Sequence, residues 1–160
     1  MTKHAEEFAI EPGVAPTPTL PAITPLTRPF WDAAAEGRLL LPRCNACGRH
    51  FFRPEVACTH CFATNWQWVE ASGRGTLYSH SVVHRAPAPG FAVPFVLAVV
   101  ELEEGPVMFS NLVGCDVGGI GDLGAVEDGG AVGTLRIGMA LKARFEQVAA
   151  GIWLPRFEAA

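Results

Sequence analysis

Cys44-Asn45-Ala46-Cys47 and Cys58-Thr59-His60-Cys61 are two close cysteine pairs with ten residues between them. Each pair can present two thiolates on one tight turn, or knuckle, and two knuckles together make a tetrahedral cage of four sulfurs that suits Zn²⁺ best. Gly48 follows the first pair, where such a turn often needs a positive φ. The spacing is close to the zinc-ribbon pattern and predicts these metal ligands: Cys44, Cys47, Cys58 and Cys61.

The cysteines admit two other interpretations. Two disulfides would require an oxidising compartment, but the first seven residues lack the apolar stretch of a secretory signal. No segment approaches the ~18 apolar residues of a membrane span, so we expect a cytoplasmic protein that keeps its thiolates on metal. Iron also fits a cage of four sulfurs, as in rubredoxin, and stays open beside zinc. Four thiolates leave no vacant coordination position, which predicts a structural metal.

The charge balance argues against nucleic-acid binding. The chain has 160 residues and a net charge of −4, with two lysines against ten arginines. Nonspecific nucleic-acid binding depends on neutralising many phosphates, so we expect no nucleic-acid partner. Four arginines lie in or beside the cysteine segment, where they can serve a small anionic ligand or form a solvated surface: Arg38, Arg43, Arg49 and Arg53.

The chain divides into three predicted parts. Residues 1–26 form a proline-rich arm that is expected to be disordered or to lie on a partner surface. Residues 27–66 contain a short N-terminal helix and the rubredoxin-like zinc ribbon. Thr27 can cap this helix, Pro29 suits its first turn, and Gly37 can end it. Residues 67–160 are predicted to form an OB-fold domain.

Alternating and β-rich segments underlie the prediction for the third part. Five strands are expected at residues 76–84, 95–102, 107–113, 141–148 and 152–157. Five strands with no convincing helix among them favour a small closed barrel of the OB kind, so the predicted fold class is mainly β. Residues 119–124 formally match GxGxxG, but no βαβ unit surrounds them, so we expect a plain connecting loop over residues 114–133.

The sequence offers no catalytic set. His80 and His84 lie four residues apart, on one face of a strand. A catalytic dyad or a metal pair is one interpretation, and we assign both to the solvated face of a barrel strand as the more ordinary one. Cys115 has no neighbouring cysteine in the sequence and is expected to be a small buried apolar residue rather than a nucleophile.

Aromatic residues are expected to serve packing more than binding. Four of them are predicted to cover the metal, with base stacking as the functional alternative: Phe51, Phe52, Phe62 and Trp66. On the barrel, few aromatic rings besides Tyr78 and Phe91 are expected to be exposed, which also disfavours binding to single strands.

The order of the segments resembles a known family that joins an N-terminal helical segment, a rubredoxin-like zinc ribbon and a C-terminal OB-fold, and that is associated with acyl-CoA enzymes. The resemblance covers about residues 26–158. Its matching segments are Pro29-Phe30-Trp31, Gly37-Arg38-Leu39, the four-cysteine ribbon, Gly73-Arg74-Gly75-Thr76-Leu77-Tyr78-Ser79, Val99-Val100-Glu101-Leu102-Glu103-Glu104-Gly105-Pro106, Ile137-Gly138-Met139 and Leu154-Pro155-Arg156-Phe157. The proline-rich arm and the long glycine loop depart from the family pattern.

The resemblance implies an accessory subunit, not catalytic alone, of a thiolase, thiolase-like aldolase or acyltransferase. The thiolase-fold partner would carry the catalytic residues, two copies of each chain would form a heterotetramer, and this chain would help to line the channel for the acyl-CoA thioester. Guanidinium groups match phosphate geometry, which together with one exposed aromatic gives the candidate CoA-binding residues: Arg43, Arg49, Arg53, Arg85 and Phe91.

Two other function classes compete with this interpretation. A single-stranded nucleic-acid-binding module is the alternative, because OB-folds and zinc ribbons both occur in that role. An autonomous hydrolase acting on thioesters would require activity from the isolated chain, and we expect none.

Overall fold

Seven strands and one short helix make up the described chain. The computed structural model describes residues 20–88, 90–115 and 135–160. The elements are α1 Arg28–Ala35, β1 Leu40–Cys44, β2 Trp66–Glu70, β3 Arg74–Val83, β4 Phe95–Leu102, β5 Val107–Leu112, β6 Ala140–Ala149 and β7 Ile152–Ala159. The predicted mainly β fold class is confirmed. Most of the arm over residues 1–26 and most of the loop over residues 114–133, with its GxGxxG sequence, lie outside the described residues.

Helix α1 begins without the predicted side-chain cap. Thr27 occupies the N-cap position, but its hydroxyl makes no capping hydrogen bond. The backbone N–H of Thr24 donates to that hydroxyl oxygen at 3.0 Å. The Thr27 hydroxyl therefore stabilises the turn before the helix instead of capping the helix. Pro29 lies in the first turn as predicted, and Gly37 follows the helix with φ 75°, where a side chain would be strained.

Strands β1 and β2 form a separate antiparallel sheet that carries the ribbon. Their register runs from Leu40 opposite Glu70 to Cys44 opposite Trp66, and the two knuckles lie in the chain between them. Aromatic and β-branched residues in β2 suit a half-buried strand. Because β2 starts at Trp66, it extends across the predicted boundary between residues 66 and 67, and that boundary stays a prediction.

The other five strands close into a barrel. Their order is β3-β4-β5-β7-β6, with β6 returning to pair with β3. The pairing of β5 with β7 is parallel and has a single register pair, Leu112 opposite Phe157. The predicted strand at residues 95–102 coincides with β4, and the other four predicted strands begin and end within two residues of β3, β5, β6 and β7.

A β-bulge in β3 corrects the prediction for the histidines. The register of β3 against β4 shifts between Leu77 and Ser79, so residues after the shift face the opposite side from simple alternation. His80 stands opposite the buried Ala98, and its Nδ1 atom is buried with no hydrogen-bond partner in the described residues. The assignment of His80 and His84 to one solvated face is therefore wrong, since only His84, just beyond β3, is exposed.

The buried side chains form two clusters of unequal size. The larger cluster joins the barrel to α1 and β1, because Phe30 and Leu41 pack together with barrel residues such as Phe157. Cys115 packs against this cluster, in keeping with a partly buried apolar role. The smaller cluster lies in the ribbon and has three buried members: Cys44, Phe51 and Cys58. Since two of these three are predicted metal ligands, the knuckles have almost no apolar core of their own.

Candidate metal centre and neighbouring clefts

Two equivalent turns hold the four cysteines. The N–H of Gly48 donates to the carbonyl oxygen of Cys44 at 2.9 Å, and the N–H of Phe62 donates to that of Cys58 at 2.9 Å. Gly48 has φ 73°, as predicted, and Phe62 has φ 61°, a conformation that costs a residue with a Cβ about 1–2 kcal/mol. The Phe62 side chain is 80% exposed, so the prediction that it covers the metal is wrong.

The sulfur positions fit a tetrahedral metal ion. All four Sγ atoms lie within 4.8 Å of one another, with Cys44 Sγ 3.6 Å from Cys61 Sγ and Cys47 Sγ 3.8 Å from Cys58 Sγ. Metal–sulfur bonds of about 2.3 Å in a tetrahedron place the sulfurs about 3.8 Å apart, whereas a disulfide holds them about 2.0 Å apart. The four cysteines are free thiols, so the cage suits a structural metal and not two disulfides.

Backbone N–H groups directed at the sulfurs shape the electrostatics of the cage. The N–H of Cys47 is the main cause that lowers the pKa of Cys44 to about 7. For Cys61 the N–H of Ala63 favours the thiolate, but the neighbouring thiols and burial outweigh it and raise the pKa to about 12. Repulsion between like charges prevents four sulfurs this close from all ionising on their own. A bound cation neutralises this repulsion, so that all four can be thiolates.

Two of the four aromatic residues predicted to cover the metal lie over the ribbon core. Phe51 is buried there, and its ring meets the edge of Trp66 with centroids 5.7 Å apart. The indole N–H of Trp66 donates to the carbonyl oxygen of Val56 at 3.3 Å, which ties the loop between the knuckles to β2. Phe52 instead turns towards Phe30, with centroids 5.9 Å apart, and packs on the larger cluster. The prediction is therefore wrong for Phe52 as well as for Phe62.

A cleft of about 800 Å³ lies where α1, the ribbon and the barrel meet. We call it the aromatic cleft, and it is lined by Phe30 and Trp31 of α1, residues 52–55 of the ribbon, and residues of β5 and β7. Phe109 on β5 belongs to this lining and is 71% exposed. The sequence analysis missed this exposed ring, although the alternation of β5, with Met108 buried beside it, could have indicated it.

A second cleft of about 540 Å³, here called the ribbon cleft, lies between the knuckles and the turn that joins β4 to β5. Arg49, His50 and His60 line one part of it. The Nε2 atom of His60 lies 3.3 Å from the carbonyl oxygen of His50, which fixes the two residues relative to each other. The cleft therefore presents one guanidinium and two imidazoles beside the cage.

The structure does not gather the candidate CoA-binding residues at one place. Arg49 lines the ribbon cleft and Arg53 the aromatic cleft. Arg43 donates from Nε to the carbonyl oxygen of Gly48 at 3.2 Å, so it braces the first knuckle. The remaining two candidates belong to the connection between β3 and β4: Arg85 and Phe91.

Charge pairing separates these arginines from others in the chain. Arg38, Arg74, Arg144 and Arg156 each form a salt bridge with a glutamate. Within the ranges 20–88, 90–115 and 135–160, no salt bridge engages Arg49, Arg53 or Arg85. Among the candidate CoA-binding residues, these guanidinium groups are therefore available to an anionic ligand, and Arg28, Arg43 and Arg136 also have no salt bridge in the described residues.

Two family models match consecutive parts of this chain. The ChsH2 rubredoxin-like zinc ribbon domain matches residues 31–67, and the ChsH2 C-terminal OB-fold domain matches residues 68–146. A solved structure described as "Ltp2-ChsH2(DUF35) aldolase" is 34% identical, with a TM-score of 0.68, over 88% of this chain and 98% of that one. The chain belongs to the ChsH2 family. All four cysteines of this ChsH2-family chain fall within the zinc ribbon match.

Curated relatives match the ChsH2-family chain over part of their length. The "Probable enoyl-CoA hydratase alpha subunit" of Thermomonospora curvata is 45% identical over 53% of this chain and 27% of its own length. The "Benzoylsuccinyl-CoA thiolase subunit BbsA" of Geobacter metallireducens is 36% identical over 45% of this chain and 48% of its own length. The matched region thus spans about a quarter of one relative and about half of the other.

The described part of the chain contains one helix, α1, and no helix there is long and apolar enough to cross a membrane.

Proposed function

We propose that this chain is a non-catalytic accessory subunit that binds a thiolase-fold enzyme and supports its action on acyl-CoA thioesters. The observation that carries the proposal is the match to 98% of a chain from the Ltp2-ChsH2(DUF35) aldolase. The relative named as a thiolase subunit supports the same class of partner. The partner supplies the catalytic groups, and the present chain supplies a rigid, metal-stapled surface. Two copies of each chain, in the cytoplasm, form the proposed assembly.

Zinc is the proposed metal, with iron as the alternative. The four sulfurs of Cys44, Cys47, Cys58 and Cys61 lie within 4.8 Å of one another, and four such ligands around one ion would leave no position for substrate. The metal therefore acts on structure, where zinc typically contributes on the order of 10 kcal/mol to the folding of such a segment. Elemental analysis of protein purified without added metal identifies the ion. A red colour from iron–thiolate absorption would show that the metal is iron and not zinc.

Co-expression tests the partner. Tagged chain is expressed with each thiolase-fold protein encoded beside its gene, and affinity eluates are analysed by native mass spectrometry. We expect a stable two-plus-two complex in which acyl-CoA turnover appears, while the tagged chain alone shows none. Ordinary turnover by the isolated chain, or failure of every such candidate to associate, would remove the proposal.

Direct contact with CoA is a separate, finer part of the proposal. Arg49, Arg53 and Arg85 carry guanidinium groups without a salt bridge in the described residues, and each charge-assisted bond to a phosphate contributes about 1.5–3 kcal/mol. Phe91 and Val93, both exposed, give the β3–β4 connection an apolar edge for the pantetheine. Arg43 is the weakest of the arginine candidates because Gly48 already engages it.

Calorimetry of the assembled complex with acetyl-CoA tests this contact. Single Arg→Ala changes at positions 49, 53 and 85 are expected to weaken binding roughly ten- to hundredfold where a phosphate bond is lost. Arg144→Ala is the matched control, because that guanidinium pairs with Glu158 on the β6–β7 face. Affinities that stay unchanged in all three variants would exclude the arginines as ligands while leaving the accessory role intact.

An enoyl-CoA hydratase is a second candidate partner. The relative with 45% identity is named as a hydratase alpha subunit, and the match occupies only 27% of its length. In that protein, a region similar to this chain is therefore joined to a longer chain. Co-purification with a hydratase, and hydration activity in place of thioester cleavage, would favour this partner.

Single-stranded oligonucleotides in the same preparation are expected to give no salt-dependent gel shift.

A further inference from the structure

The outer side of strands β4 and β5 is an exposed apolar surface. Alternate residues of both strands point into the barrel and are buried, whereas the residues between them face outward. Among the outward residues, Leu97 and Val107 are about two-fifths exposed and Phe109 is 71% exposed. Outward positions of a sheet that meets water are usually polar. Six of these residues define what we call the β4–β5 face: Leu97, Val99, Glu101, Val107, Phe109 and Asn111.

Cross-strand pairing makes this surface continuous. Val99 stands opposite Phe109 on β5 and opposite Ser79 on β3, and opposed side chains on one face lie about 4.5–5.5 Å apart at Cβ. Tyr78 lies in the bulge of β3 beside Val99 and is exposed as well. Together the β4–β5 face and Tyr78 leave roughly 400 Å² of apolar surface exposed. This is about half of the ~800 Å² that each partner buries in a standard protein interface.

The charge of the face disfavours nucleic acid as its occupant. β4 and β5 are the second and third strands of the barrel, and the same two strands of other OB-folds bind oligonucleotides. None of the six residues of the β4–β5 face is a lysine or arginine, whereas phosphates require such cations. An apolar centre that is depleted of charge is instead typical of a permanent protein partner.

Glu101 indicates the charge that the partner carries. It lies at one end of the face, opposite Val107, and it has no salt bridge in the described residues. In a symmetric contact between two copies, the same patch lies on both sides, so a second copy of this face would bring no cation to Glu101. A different protein with a lysine or arginine at the rim of an apolar patch complements both the centre of the face and its carboxylate.

We propose that the β4–β5 face docks the thiolase-fold subunit, through an apolar patch of that subunit with a lysine or arginine at its rim. The identity of the partner rests on the proposed function, and the location and chemistry of the contact rest on the barrel itself. Phe109, as the most exposed ring of the face, is the central anchor of this contact.

Surface plasmon resonance with the full-length, metal-loaded chain tests this docking. The probe is the thiolase-fold protein encoded beside the gene that associates in the co-expression experiment. Phe109→Asp is expected to weaken binding by at least about thirtyfold, as for a central hot-spot residue. Glu101→Lys should weaken it by about two- to tenfold, mainly through slower association. Phe62→Asp is the matched control, because Phe62 is 80% exposed on the ribbon, and it should bind like wild type.

Hydroxyl-radical footprinting of the wild-type chain gives a second measurement that needs no variant. In the complex, oxidation of Phe109 is expected to fall by about fivefold or more because water is excluded from the contact, while oxidation of Phe62 stays unchanged. Equal affinities of wild type and Phe109→Asp, equal losses in Phe109→Asp and Phe62→Asp, or an unprotected Phe109 in the complex would each overturn this docking and leave the accessory role intact.

Two other outcomes are distinguishable from these. Protection of Phe109 in the isolated chain that grows with protein concentration would assign the face to a second copy and overturn the proposal. Failure of the wild-type chain to bind any thiolase-fold candidate would remove the proposed function and the docking together.

Discussion

Replacing Cys58 with alanine should open the ribbon while the barrel stays folded. Cys58 is fully buried and is one of only three buried residues in the ribbon cluster. Structural zinc sites contribute about 10–16 kcal/mol at neutral pH. One thiolate of four corresponds to about a quarter of that, ~2.5–4 kcal/mol, so metal affinity should fall about a hundred- to a thousandfold. The larger cluster, which fills the barrel, contains none of the four cage cysteines, and this explains why the barrel should survive.

The assay combines metal analysis with limited proteolysis. Wild-type and variant proteins are dialysed against a chelator, and bound metal is measured by plasma mass spectrometry. We expect one metal ion per wild-type chain and only a small remaining fraction of metal in Cys58→Ala. Chymotryptic cleavage near the exposed Phe62 is expected only in the variant. Cys115→Ala is the matched control, because Cys115 packs against the larger cluster outside the cage. Full metal retention in Cys58→Ala, or equal loss in the control, would refute the reasoning.

Five further substitutions probe the backbone, the barrel core and one exposed control position. Phe62→Gly should raise the thermal midpoint slightly, because it removes about 1–2 kcal/mol of left-handed backbone strain and adds only about 0.5–1 kcal/mol of chain-entropy cost. Gly48→Ala should lower the midpoint, because alanine is strained at a positive φ. The opposite order of midpoints would contradict the knuckle geometry. Gly75→Ala places a Cβ 2.6 Å from a carbonyl oxygen of β4, so urea unfolding should show a loss of about 2–3 kcal/mol, and a neutral result would mean that β3 and β4 can separate there. Phe157→Ala should cost about 3–5 kcal/mol of unfolding free energy, against less than about 0.5 for the exposed Tyr78→Ala; similar losses in both would argue against the barrel core.

Local signals in the sequence predicted much of the fold. Two short-range cysteine pairs fixed the cage, because each knuckle closes within five residues. Gly37 ended the helix through its own φ. An uninterrupted β-rich run gave β4 its bounds, and the Glu103–Pro106 turn separated it from β5. In each case one stretch of chain contains the whole physical cause.

Features that depend on distant partners escaped prediction. The inward position of His80 follows from a bulge whose register is set by β4, and alternation within β3 alone cannot show it. Phe62 had to be recognised as the counterpart of Gly48 in a second, similar turn. The aromatic cleft joins segments around residues 31, 53, 109 and 155, so no single window of sequence contains it. The clefts that could hold a ligand were therefore less predictable than the metal cage.

The position of β7 in the chain has a consequence for synthesis on the ribosome. The pairing of β5 with β7, at Leu112 and Phe157, is one of those that close the barrel, and β7 is translated after all the other strands. The sheet of β1 and β2, with all four cysteines, is complete by Glu70. At typical rates of about 5–20 residues per second, the nascent ribbon has several seconds in which to capture its ion before the barrel exists. Metal binding and barrel closure can therefore take place at different times during synthesis of the chain.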